Sequence, residues 1–293
     1  MKFGAIDIGT NAARLLVGEV ELEKDHSFVN KLSYTRIPLR LGEDVFEEGV
    51  ISEMKIQNFI KTIQAFRLIS EIFEVQSIRA VATSAMRDAQ NTNEVINKIK
   101  NETGIQIEVI SGQEEAELIM SNFFLHEKPI KHPFLVIDVG GGSTEISYFS
   151  NGKREASKSF EIGTIRLLKN KVNESLWKEL NVWINENIPL EKNLLLYGTG
   201  GNINKIHKLI GGKQKHPVSR GDISDFLGQL KPLSIRERID KFQLKPDRAD
   251  VIVPAMEIYL YVMTCIKTDE IYVPKVGLSD GVILDLHRRQ MKF

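Results

Sequence analysis

Two segments of this chain of 293 residues place the same chemical groups in the same order. Phe3-Gly4-Ala5-Ile6-Asp7-Ile8-Gly9 and Phe134-Leu135-Val136-Ile137-Asp138-Val139-Gly140 each run from apolar residues to an aspartate and then to a glycine turn. Small polar residues follow, Thr10-Asn11 in the first copy and Gly141-Gly142-Ser143-Thr144 in the second. A buried strand ending in Asp and turning on Gly offers a carboxylate and several backbone N–H groups at one point. Such a point can hold phosphates and a hard divalent cation. The first copy ends in Arg14, a cation for an anionic substrate; the second ends in Glu145, a carboxylate for a metal. Two copies predict two similar halves facing one another across a cleft.

The segment Asp138 to Glu145 is the sharpest of these signals. Three consecutive glycines, Gly140, Gly141 and Gly142, cost backbone entropy, which close approach to a ligand would justify. Their amides can form an anion nest, the Ser143 hydroxyl can donate, and Asp138 and Glu145 can hold Mg²⁺ directly or through water. A tight hairpin with solvated carboxylates is the plain alternative. A second glycine cluster, Gly198-Thr199-Gly200-Gly201-Asn202, leaves an apolar strand and opens a helix, where backbone amides again favour an anion. Thr83 and Ser84 follow another strand, and Arg87 one turn later could fork two phosphate oxygens; a surface arginine at a helix start reads equally well. Glu114 lies three residues after Ser111, the spacing of a capping box. Glu115 has no such local use, and is either a solvated first-turn carboxylate or a group that orients and deprotonates water. Lys205, Lys208, Lys213, Lys215, His216 and Arg220 form a basic run, a solvated loop or a track for a polyanion.

Walker A, zinc-ligand, nucleophile-elbow and dinucleotide patterns are absent. With no sign of a covalent serine or cysteine nucleophile, direct attack of water on phosphorus is the economical chemistry.

The elements that must carry these groups alternate. Phe3–Ile8, Ala13–Val20 and Phe28–Leu39 read as strands. A helix from Ser52 follows, with Ile56, Phe59, Ile60, Ile63, Phe66 and Ile69 on one face. A strand at Ser77–Ala82, a helix near Asn93–Glu102, a strand at Ile105–Ile110 and the helix bearing Glu115 complete the first half. The turn-rich stretch Glu127–Pro133 is the expected boundary, giving domains 1–126 and 127–293, with the last helix free to pack back on the first. Beyond it the order restarts: strands near Phe134–Val139, Glu145–Phe149 and Ala156–Glu161, a helix from Thr164, the strand Leu194–Tyr197 and a helix near Asn204–Leu209. A long helix containing Pro254, a strand at Ile271–Val273 and a final helix near Gly281–Arg289 end the chain. The class is α/β with mixed sheets.

Hydrophobic residues make up 42% of the chain and charged residues 27%, an ordinary globular balance. Net charge is zero, so no global field announces nucleic acid or membrane as a partner. The lone Cys265 lies in an apolar run and reads as a core residue in a reducing compartment. With no signal-peptide pattern after Met1 and no membrane-length apolar run, a cytoplasmic protein is expected.

Taken together, Asp7-Ile8-Gly9-Thr10-Asn11 with Arg14, Val81–Ala89 with Asn91, Ser111–Ala116 and Asp138–Glu145 resemble the exopolyphosphatase/guanosine pentaphosphate phosphohydrolase family. Gly163–Leu167 and Gly277–Gly281 match it further on, so the resemblance runs nearly end to end. It implies two duplicated actin-like (ribonuclease H-like) domains, with mixed sheets flanking an interdomain cleft. The activity implied is Mg²⁺-dependent removal of the terminal phosphate from inorganic polyphosphate or guanosine pentaphosphate. By motif, Glu115 would be the base, and Asp138 and Glu145 would serve metal and water, with Asp7 beside them as a metal ligand. Thr10, Asn11, Arg14, Ser84, Arg87, Gly140, Gly141, Gly142, Ser143, Gly200 and Gly201 would hold phosphates. A homodimer would extend the binding groove, and a non-hydrolysing alarmone sensor is the alternative from another class. Three departures stand out. The sequence stops at Phe293, without the C-terminal helical module through which long members hold extended chains. Lys215–Gly221 lacks a Val-His-Gly often found there, and Gly198–Gly201 stands where superfamily ATPases bind adenosine.

Overall fold

The computed structural model describes residues 1–23, 26–126, 132–190, 194–212 and 216–291. In the first half, β1 (Lys2–Ile8), β2 (Ala13–Glu23) and β3 (His26–Ile37) lead to α1 (Leu41–Glu48) and α2 (Glu53–Ile72). Then come β4 (Ser77–Ala82), α3 (Ser84–Asp88), α4 (Thr92–Thr103), β5 (Ile107–Val109) and α5 (Gly112–His126). The second half opens with β6 (Phe134–Val139), β7 (Thr144–Ser150), β8 (Lys153–Phe160), α6 (Thr164–Leu168) and α7 (Glu174–Asn187). It continues through β9 (Leu195–Thr199), α8 (Gly200–Leu209), β10 (Val218–Ser219), α9 (Arg220–Leu230), α10 (Ile235–Phe242) and α11 (Pro246–Ala249). Helix α12 (Ile252–Cys265), β11 (Glu270–Ile271) and α13 (Leu278–Met291) finish the chain.

By its contacts the chain forms two units, Met1–Lys128 with Val276–Phe293, and Pro129–Lys275. Residues 127–131 of the expected boundary stretch lie outside the described residues. The last helix, α13, belongs with the first unit.

The first unit holds a five-stranded mixed sheet ordered β3-β2-β1-β4-β5, the second a four-stranded mixed sheet ordered β8-β7-β6-β9. Each places its aspartate strand centrally, antiparallel to the next strand and parallel to a later one. A central strand is covered on both faces, so β1 is buried from Phe3 to Ile8 and reads as a continuous apolar run without alternation. On α2, Ile56, Phe59, Ile60, Ile63 and Phe66 are buried at helical spacing, as periodicity predicts. Helix α12 begins at Ile252, so Pro254 falls in its first turn, where an amide would have no intrahelical acceptor. The helix is buried nearly all round, with Tyr259 fully buried in the core of its unit.

Helix α10 fully buries no residue; Ile239 and Phe242, on its apolar face, pack partly buried against the core of the second unit. Its start and that of α9 are written in the sequence, as the capping boxes Ser234–Glu237 and Ser219–Asp222. The basic run is divided among elements. Lys205 and Lys208 lie on α8, and His216 is exposed. Arg220 opens α9 and pairs with Asp269 at 2.8 Å. Lys213 and Lys215 lie outside the described residues.

In the first unit α5 and α13 meet backbone to backbone. A Cβ on Gly281 would fall on the Leu118 carbonyl and within 3.1 Å of Leu118 Cα.

Candidate active site

The repeated motif becomes a repeated structure. Asp7 stands opposite Arg14 across the β1–β2 pair, and Asp138 stands opposite Glu145 across β6–β7. Each hairpin turns through four residues, Gly9–Ala12 or Gly140–Ser143, closed by the same bond. The Gly9 amide donates to the Ala12 carbonyl at 3.0 Å, and the Gly140 amide to the Ser143 carbonyl at 2.9 Å. Each turn is then braced by the helix that follows the third strand. Arg40 and Gly42 at the start of α1 donate to the Asn11 and Thr10 carbonyls, both at 3.0 Å. Thr164 and Ile165 at the start of α6 donate to the Gly140 and Gly141 carbonyls at 3.1 and 2.8 Å. Most carbonyls of both turns are thus used locally, and what the turns can offer a ligand is their amide side.

The two hairpins differ in what faces the aspartate. In the first unit Arg14 Nη1 donates to Asp7 Oδ2 at 2.6 Å, with Asp7 buried. The cation expected to hold phosphate and the carboxylate expected to hold metal hold each other in this structure. Thr10 is buried beside them.

In the second unit cross-strand partners share a sheet face, so Asp138 and Glu145 point the same way. Ser143 Oγ and Ser159 Oγ donate to the same oxygen of the buried Glu145, Oε1, at 2.5 and 2.8 Å. Thr199 Oγ1 donates to Asp138 Oδ2 at 3.0 Å. Ser143 is therefore a hydroxyl that fixes a carboxylate. Close approach explains two glycines here. A Cβ on Gly163 would strike the Gly141–Gly142 peptide, and one on Gly200 (φ +86°) would strike the Asp138 carboxylate. Replacing Gly200 by Ala should cost about 1–3 kcal/mol in left-handed strain and crowding. Chemical denaturation would measure it, and an unchanged midpoint would contradict the close packing of Asp138 on α8.

The Gly198–Asn202 loop also carries a residue that sequence reading misses. Arg248 on α11 donates from Nη1 to the buried Asn202 Oδ1 at 2.9 Å, and Asn202 in turn donates to the Val139 carbonyl at 2.7 Å. A Cβ on Gly201 would lie 2.6 Å from Arg248 Nη2. Burial, and then the Lys208 and Arg248 cations, hold the Lys205 pKa below its ordinary value. Arg248 at the N-terminus of α8 suits an anion there. Arg248 is 47 residues from Gly201 and carries no motif, so its only sequence signal is an arginine in a short turn after Pro246.

Glu115 occupies the first turn of α5, its amide bonded to the Ser111 carbonyl at 2.9 Å. Its side chain is 14% exposed, and Arg87 Nη1 lies 3.2 Å from Oε2 while also donating to the Ile110 carbonyl at 2.9 Å. Ser84 is buried at the start of α3. The structure thus brings Glu115 and Arg87 together, and couples Asp138 to Glu145 by register and to Gly200 by contact.

Among the described residues no group of three or more His, Cys, Asp or Glu side chains forms a ready metal cage. Mg²⁺ does not need one, since it keeps waters and takes one or two carboxylates together with substrate oxygens. Asp138 and Glu145, oxygen donors on one sheet face, fit that mode.

The model of the Ppx/GppA phosphatase family matches residues 20–290. The chain belongs to this family. The bifunctional 3-dehydroquinate synthase/phosphatase of Fusobacterium nucleatum is 30% identical over 96% of this chain and 46% of its own length. Exopolyphosphatase 1 of Mycobacterium bovis is 30% identical over 58% of this chain and 48% of its own. The chain therefore spans about half the length of these relatives. Exopolyphosphatase 2 of Mycobacterium tuberculosis, 25% identical, aligns over 97% of this chain and 98% of its own. Among solved structures, an exopolyphosphatase from Cytophaga hutchinsonii has 26% identity and a TM-score of 0.83, covering 99% of this chain and 98% of that one. The Ppx/GppA phosphatase of Aquifex aeolicus has 25% identity and a TM-score of 0.70, covering 97% and 99%. The Ppx/GppA fold, an actin-like α/β arrangement with mixed sheets, is that of this chain.

Proposed function

We propose that this Ppx/GppA family member is a phosphoanhydride hydrolase. It removes the terminal phosphate of inorganic polyphosphate by attack of water, with Glu115 as the general base. The observation that carries the reading is Glu115 itself, a mostly buried carboxylate fixed in a helical first turn beside the Arg87 guanidinium. The exopolyphosphatases among its relatives support the substrate class.

Phosphoryl transfer asks a protein for positioning and for stabilisation of charge on the phosphoryl oxygens. The amides of Gly141, Gly142 and Ser143 supply donors in the second unit, and Arg87 supplies a cation in the first. Glu115 orients water and accepts its proton at a carboxylate oxygen. Asp138 and Glu145, held by Thr199, Ser143 and Ser159, would hold Mg²⁺. When bound, the ion would neutralise charge on the phosphate oxygens and lower the pKa of its water.

Phosphate release from polyphosphate and from guanosine pentaphosphate, with Mg²⁺ and with chelator, tests the reading. The expected result is release from polyphosphate that stops with chelator. Release from the pentaphosphate alone would move the substrate to the alarmone, and no release from either would leave a binding protein without hydrolysis. Among the described residues no helix is long and apolar enough to cross a membrane.

A further inference from the structure

We propose that Arg79 is a positioning residue that holds the first turn of α5, and with it Glu115, in place; this rests on Glu115 being the base. Arg79 lies on β4 with its side chain 5% exposed. Its guanidinium serves three carboxylates on three other elements. Nε and Nη2 donate to Glu108 Oε2 on β5 at 3.0 and 2.8 Å, and Nη2 to Glu114 Oε1 on α5 at 2.7 Å. Nη1 donates to Asp285 Oδ2 on α13 at 2.9 Å. Burial alone would pull Arg79 below its ordinary pKa, and the hydrogen bonds to Glu108 and Glu114 outweigh it, so the pKa is held above that value.

The arrangement bears on the base through Glu114. The Glu114 amide donates to Ser111 Oγ at 3.1 Å while its carboxylate is held by Arg79, so this residue is fixed at both ends. Glu115 is the next residue. One partner of its carboxylate, Arg87, is the group assigned to phosphate. Arg79 lies outside the segments through which the sequence resembles the family, and its fork geometry is what the task requires. A guanidinium can meet three carboxylates at once through its separate nitrogens, where a lysine ammonium is a single point. Removing the cation also leaves three acidic groups around an empty centre, so the conservative variant is the informative one.

The experiment compares Arg79→Lys, Glu114→Gln and the double variant, each corrected for the folded fraction. Arg79→Lys should lower kcat about 10-fold with KM nearly unchanged, short of the 10²-fold that a 1 Å misplacement can cost. Glu114→Gln should show the same split, and the double variant should be no worse than Arg79→Lys, as expected of one linked device. Deuterium exchange at the amides of residues 112–118 should accelerate in Arg79→Lys. Unchanged kcat per folded molecule in both single variants, with Glu115→Gln inactive, would overturn the proposal, as would additive losses. If Glu115→Gln itself keeps turnover, the base assignment fails instead. Exchange at α5 then decides the tether alone, unchanged rates overturning it and faster rates supporting it.

Discussion

Replacing Glu115 by glutamine should lower phosphate release from polyphosphate by about 10²–10⁴-fold, the usual contribution of a positioned acid–base group. The substitution keeps size and shape, and the first turn of α5 keeps its cap from Ser111, so binding of polyphosphate should persist. The amide can still donate and accept, but it cannot take a proton from water. The effect should therefore fall on kcat, with KM and the folded fraction near those of the parent. Steady-state kinetics with equilibrium binding of a short polyphosphate separates the two. Turnover within a few-fold of the parent would remove Glu115 from the chemistry. A matched loss of binding and turnover would instead make it a ligand for the substrate's counter-charge, since Arg87 would have lost its partner at 3.2 Å.

Gly281→Ala is expected to be the most damaging single methyl group in the first unit. The new Cβ would fall on the Leu118 carbonyl, with Leu118 Cα at 3.1 Å, and both obstacles are backbone. A side chain could swing aside; two packed helices can only separate. Overpacking of a rigid interface costs typically 1–3 kcal/mol, and a backbone collision belongs at the upper end, about 3 kcal/mol. The same displacement moves α5, which carries Glu114 and Glu115, so phosphate release should fall together with stability. Gly228→Ala is the control. Gly228 lies within α9 with nothing within 4 Å of its added Cβ, and the same substitution should stabilise the protein by up to about 1 kcal/mol. Thermal and denaturant unfolding of both variants would show opposite signs. A midpoint for Gly281→Ala equal to the parent's would mean that α5 and α13 do not touch as described.

The two hairpins show how a duplicated element can diverge in chemistry without changing shape. Both keep the four-residue turn, the closing amide bond and the brace from a following helix. The residue opposite the aspartate differs in charge, Arg14 in one and Glu145 in the other. Opposite charges make the first pair self-neutralising. Like charges opposite one another repel, and the three hydroxyls of Ser143, Ser159 and Thr199 bond to the second pair.

The sequence by itself determined the order of elements, the two central strands and the duplicated aspartate–glycine turns, because these depend on local spacing. An apolar run that ends in Asp and Gly can be recognised without knowing its neighbours, and so can the capping spacing of Ser111 and Glu114. It also named Glu115 and Arg87, though as residues of separate motifs. Only the tertiary structure decided which charges meet. Arg14 turns to Asp7 because β-sheet register sets them opposite. Arg248 reaches the start of α8, Arg79 gathers Glu108, Glu114 and Asp285, and Gly281 lies against Leu118, across chain separations that no local pattern spans. Short-range sterics and hydrogen bonding write themselves into neighbouring residues; the pairing of buried charges depends on where whole elements are packed.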